Sequence, residues 1–79
     1  MFWVLSNKRE GRVFVTGRLR DVDRLVQAGW NIEYKSRSWD KAYRAALLMA
    51  EARELIVEWY LEDEVNWKKK KLARFQSIR

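Results

Sequence analysis

The chain reads as a small α+β domain: a three-stranded antiparallel sheet in ββαβα order, packed against one short helix and one long C-terminal helix. Three observations point there. Phe2-Trp3-Val4-Leu5 and Arg12-Val13-Phe14-Val15-Thr16 are rich in β-branched and aromatic residues, and Asn7-Lys8-Arg9-Glu10-Gly11 between them has turn chemistry. Leu19, Val22, Leu25 and Val26 fall at helical spacing and stop at Gly29, a residue suited to closing a helix. From Trp39 to Arg79 there is neither Gly nor Pro, and Ala, Leu, Glu, Lys and Arg dominate, so propensity favours helix almost throughout.

Taken in order, the first two segments form a hairpin, Gly17 ends its second strand, and a short helix covers about 19–28. Ile32 and Tyr34 alternate with polar neighbours in Asn31-Ile32-Glu33-Tyr34-Lys35, the pattern of a half-buried strand. Ser36 or Ser38 caps the helix that follows. An unbroken helix from Trp39 to Arg79 would run about 60 Å, more than twice the diameter expected of such a domain. Ala42, Ala45, Ala46, Met49, Ala52, Ile56, Trp59 and Tyr60 form one apolar stripe, whereas Leu61, Val65, Leu72 and Phe75 lie round from it. Either a second helix starts at 62–66 and folds back, or the helix continues and its distal face meets another protomer. The break is the preferred reading. The single domain then divides into a ββαβ part (1–38), a long helix (39–65) and a basic helical tail (66–79).

A 79-residue chain buries only about 60% of the surface it exposes when unfolded. The absence of Cys excludes disulfides and zinc thiolates as supports, which leaves tight packing or an oligomer. A homodimer through the long helix is expected, with Trp59, Leu61, Val65, Leu72 and Phe75 as its protein-interface residues. Thiol-free composition fits a cytoplasmic setting. The apolar run Met1 to Leu5 is too short for a signal-peptide core, and no stretch approaches the roughly 20 apolar residues of a membrane span.

Charge is dealt out in blocks. Residues 1–38 carry eight Lys/Arg against four Asp/Glu, residues 39–65 three against seven, and residues 66–79 six against none. The net charge of +6 attracts polyanions: nucleic acid, or an acidic protein surface. With no His or Cys and no nucleophile beside a recognisable base, the pattern points to recognition and away from enzyme activity. No cofactor is expected. Glu51, Glu54, Glu58 and Glu62 make an acidic helix face, yet no matching carboxylates face them, so no metal site is assigned.

Lys68, Lys69, Lys70, Lys71 and Arg74 sit within a few residues of Trp67 and Phe75. Interleaved cations and rings suit a nucleic acid, since ammonium groups neutralise phosphates while rings stack on bases. The bland alternative is a solvated helix end whose cations favour the helix dipole. Lys8, Arg9 and Arg12 in the hairpin form a second basic set, which solubility would explain equally well.

The stretch Phe2 to Ala46 resembles the N-terminal hybrid-binding domain of eukaryotic-type ribonucleases H, shared with caulimovirus viroplasmin. The likeness is carried by element order, by the aromatic strand Phe2-Trp3-Val4, by Gly11 with Phe14, by Tyr34-Lys35-Ser36 and by Ala42. The resemblance implies that Tyr34 and Lys35 touch the backbone of an RNA/DNA hybrid. Where that family has a Trp after the second strand this chain has Gly17-Arg18, and where it has a Phe after the Lys motif this chain has Arg37. The expected function is sequence-independent nucleic-acid binding through Tyr34, Lys35, Arg37, the hairpin basics and the tail. The alternative is a small protein-interaction factor, such as a phage-type inhibitor docking on a host or defence enzyme, since aromatic and Arg anchors inside a charged rim suit such an interface.

Overall fold

Val4 and Leu5 are adjacent in the chain and neither exposes any surface. Neighbouring residues of a strand point to opposite faces, so both faces of the sheet they occupy must be covered. A computed structural model, which describes residues 1–60, 63–66, 68 and 69, shows how. Its elements are β1 (Phe2–Asn7), β2 (Arg12–Thr16), α1 (Leu19–Gln27), β3 (Asn31–Ser36), α2 (Trp39–Arg53) and β4 (Ile56–Trp59). The strands form one mixed sheet in the order β3-β1-β2-β4. On one face α2 packs Trp39, Ala42, Ala46 and Ala50 against Val4, Val13 and Val15. On the other, Val22 of α1 and Trp30 cover Leu5.

β1 pairs antiparallel with both β2 and β3, with Trp3 opposite Thr16 on one side and Lys35 on the other. The hairpin closes through Glu10 N–H to Asn7 Oδ1 (3.1 Å) and through Gly11 at φ +70, a left-handed position that favours glycine. α1 ends where Trp30 N–H reaches Leu25 O (2.9 Å) around Gly29 at φ +96. Ser38 caps α2 by accepting from Lys41 N–H. The short side chains of Ala42 and Ala46, both fully buried, let that helix lie close on the sheet.

The expected long helix is not there. α2 stops at Arg53, and Glu54 turns left-handed (φ 56, ψ 46) while Leu55 N–H bonds to Ala50 O (2.9 Å). Residues 56–59 then form β4, parallel to β2, with Val57 opposite Val13 and Trp59 opposite Val15. The three-stranded antiparallel sheet is thus a four-stranded mixed one, and the helix breaks at Glu54, earlier than 62–66. The stripe that placed Ile56, Trp59 and Tyr60 on a helix face is overturned with it. A left-handed non-glycine residue costs about 1–2 kcal/mol, which is offset by Trp59 packing edge-on to Tyr43 (5.1 Å) and by Val57 and Leu55 joining the α2-side core. A third helical stretch covers 63–66 and 68–69.

Glu33 ties three elements together. Its carboxylate accepts from the buried Ser6 hydroxyl of β1 (2.6 Å) and from Arg53 Nη1 at the end of α2 (2.9 Å). The Ser6 hydrogen bond, then Arg53, hold its pKa below the ordinary 4.5. Its contribution to stability is therefore fully present above pH 4.5 and is lost as the pH falls through the lowered folded value. Glu33→Ala should cost about 1–2 kcal/mol in urea unfolding at pH 7, and the gap from the parent protein should close below pH 4.5. Glu54→Gly should raise stability by about 0.5–1 kcal/mol in the same assay.

Candidate functional site

The two ends of the sheet are unlike each other. β2, β3 and β4 run the same way and β1 runs against them, so the C-termini of three strands and the N-terminus of the chain meet at one end. Both helices begin at that end, α1 after β2 and α2 after β3. Helix N-termini carry partial positive charge. The exposed side chains there include Arg20, Lys35, Arg37 and Lys41. The opposite end holds the hairpin turn and both helix C-termini.

The sequence-predicted basic set is divided between these ends. Tyr34, Lys35 and Arg37 lie together where β3 passes into α2, all exposed. Lys8 and Arg9 are exposed on the hairpin turn, and Arg12 pairs with Glu58 at 3.7 Å. The Trp3 and Asn7 rows are four residues apart on β1, which is ~13 Å. Tyr34 lies opposite Val4 and Lys35 opposite Trp3, so the aromatic and the cation project to opposite faces of the sheet. What they share is β3 itself, an edge strand. Trp3 is half-buried between Lys35 and Thr16 in register.

The chain that leaves β4 is fastened at the same end. Arg18 Nη1 meets Asp63 Oδ2 at 3.2 Å, and the guanidinium carbon Cζ lies 4.3 Å from the ring centroid of Tyr60, which itself packs edge-on to Phe14 (5.2 Å). The indole N–H of Trp59 donates to Glu64 Oε2 (2.9 Å), and Lys68 Nζ lies 3.1 Å from Glu64 Oε1. Lys68 first, then Trp59, hold the Glu64 carboxyl below its usual range. The first lysine of the basic run thus meets a carboxylate, and both Lys68 and Lys69 are exposed. Val65 is exposed and Trp59 half-buried. Trp67, Lys70, Lys71, Arg74, Leu61, Leu72 and Phe75 lie outside the described residues.

No protein-family model, curated protein or solved structure matches this chain. Among the described residues no group of three or more acidic side chains is placed to hold a metal ion. The acidic row is dispersed, with Glu54 in the helix cap and Glu58 on β4. No helix among the described residues is long and apolar enough to cross a membrane. A shallow depression lined by Phe14, Glu58, Trp59 and Tyr60 lies along β4, the edge away from Lys35.

Sequence reasoning missed two features. Lys41 joins the Lys35–Arg37 group because α2 begins directly after β3, which puts its first turn beside the end of that strand. Leu47 and Leu48 are exposed at mid-helix, and their departure from the alanine stripe was the available signal.

Arg18 is the clasp between β2 and the segment after β4. Arg18→Ala should speed amide exchange over residues 63–66 while β1 keeps its protection, since the pair and the ring contact are local. Unchanged exchange over 63–66 would show that the segment is fastened by other contacts, and equal loss in both regions would show that the clasp is not local.

Proposed function

We propose that this protein binds nucleic acid without sequence preference through the β3 edge and the end of the sheet where both helices begin. The observation that carries the reading is the grouping of Tyr34, Lys35, Arg37 and Lys41 beside two helix N-termini. Oxygen anions are stabilised by ammonium and guanidinium groups and by the positive ends of helices. The resemblance to the hybrid-binding domain, which assigns backbone contact to Tyr34 and Lys35, supports the same edge. Because those two side chains leave β3 on opposite faces, a sugar–phosphate strand touching both runs over the edge of the sheet, not across its face. Lys35 and Arg37 neutralise phosphates, Tyr34 stacks on a sugar or base, and the tail lysines add further phosphate contacts. The hairpin basics form a separate set at the far end.

A second reading, a protein-interaction factor, rests on a different observation: the exposed Leu47 and Leu48 of α2.

Tryptophan fluorescence titration with single-stranded, duplex and RNA/DNA hybrid oligonucleotides, at several salt concentrations, tests the first. Affinity should fall linearly on a log–log salt plot. Lys35→Ala with Arg37→Ala should flatten that slope by about 1.4–1.8, at 0.7–0.9 per lost phosphate contact. Lys8→Ala with Arg9→Ala should change it less. Absence of binding at low salt, or an equal effect of the two pairs, would overturn the assignment of the site.

A further inference from the structure

The side of α2 turned away from the sheet carries a self-complementary pattern. Ala42, Ala46 and Ala50 are buried, and the 100° turn per residue puts Lys41, Arg44, Leu48 and Glu51 on the opposite side. All four are exposed, Leu48 to 68%, and its neighbour Leu47 is 44% exposed. Single exposed leucines are ordinary. Here two of them sit at the middle of a charge gradient. Arg44 lies three residues before Leu47 and Glu51 three after Leu48. Arg44 also reaches Asp40 at 3.2 Å, but its side chain stays 74% exposed and open to a second carboxylate.

We propose that this face is a homodimer interface in which two α2 helices pack antiparallel about a two-fold axis passing between Leu47 and Leu48. The occupant is a second copy of the chain because the pattern matches its own reverse. An antiparallel copy sets Arg44 against Glu51 of the partner subunit and packs the leucines beside the axis, whereas a parallel copy would set like against like. A two-fold axis requires such self-complementarity, and antiparallel helix dipoles favour it. Ala45 and Ala52 flank Leu48 and leave room for close approach. The interface differs from the one expected at Trp59, Leu61, Val65, Leu72 and Phe75. It leaves Tyr34, Lys35 and Arg37 on the β3 edge free and shares only Lys41 with the proposed nucleic-acid site. A 15-residue helix spans ~22 Å, a contact at the small end of protein interfaces.

Sedimentation of the full chain over about 1–500 µM, a range that brackets micromolar dissociation, tests the interface. The expected result is a monomer–dimer equilibrium in which Leu48→Glu raises Kd by about tenfold or more. Glu51→Arg alone should weaken the dimer to a similar degree by opposing Arg44 of the partner subunit, and Arg44→Glu combined with Glu51→Arg should restore it. Circular dichroism and thermal unfolding of each variant report whether the monomer fold is intact, which these exposed positions should leave unchanged. A protein that stays monomeric throughout would overturn the proposal. So would a dimer indifferent to Leu48→Glu, or a double reversal that fails to restore association in a folded protein.

Discussion

The constraint on which the rest of this structure depends is the burial of β1 on both faces and along both edges. Val4 and Leu5 point in opposite directions and are both fully buried, while β2 and β3 take up the hydrogen bonds on either side. One helix can satisfy only one face. The chain therefore sends α1 to one side and α2 to the other, and the layout of charge follows. Each helix leaves its preceding strand at the same end of the sheet, so two helix N-termini gather beside the chain's own amino terminus. A three-layer arrangement forced by two adjacent apolar residues gathers both helix N-termini at one end of the sheet.

Most of the first 53 residues was legible in the sequence because local signals agreed with the fold. The hairpin followed from two β-rich runs around an Asn-to-Gly turn, α1 from spacing that ended at Gly29, and the cap of α2 from the choice between Ser36 and Ser38, which the structure resolves to Ser38. The failure came at Glu54. Helix propensity counts residues one at a time, and with no Gly or Pro after Trp39 it found nothing to stop α2. The stop comes from a left-handed glutamate, which local preference disfavours, held by tertiary packing. Leu55-Ile56-Val57-Glu58-Trp59-Tyr60 carried the contrary signal, a β-branched and aromatic run amid helix formers.

The candidate site was legible as residues and not as geometry. Tyr34, Lys35 and Arg37 fall within four residues of chain, so any fold would keep them near one another, but their separation from Lys8 and Arg9 depends on strand direction. Lys41 joined them through the topology of the β3–α2 connection. Charge counting placed Lys68 in a basic run without showing that Glu64, positioned by the indole of Trp59, meets it. Pairing across a turn of helix is visible in the spacing. The indole that fixes the glutamate is visible only once β4 is in place.

The parallel pairing of β2 with β4 has a consequence for the making of this protein. Arg12 and Ile56 face each other in the sheet although 44 residues separate them, so during synthesis the hairpin emerges long before its last neighbour. Through that interval β2 presents a row of open backbone groups beside Val13 and Val15, a template for adhesion between nascent chains. Chain growth must carry α2 past the sheet before the strand that seals this edge arrives. Non-local closure of this kind is slow, and it makes the last strand the step at which a newly made copy passes from vulnerable to protected.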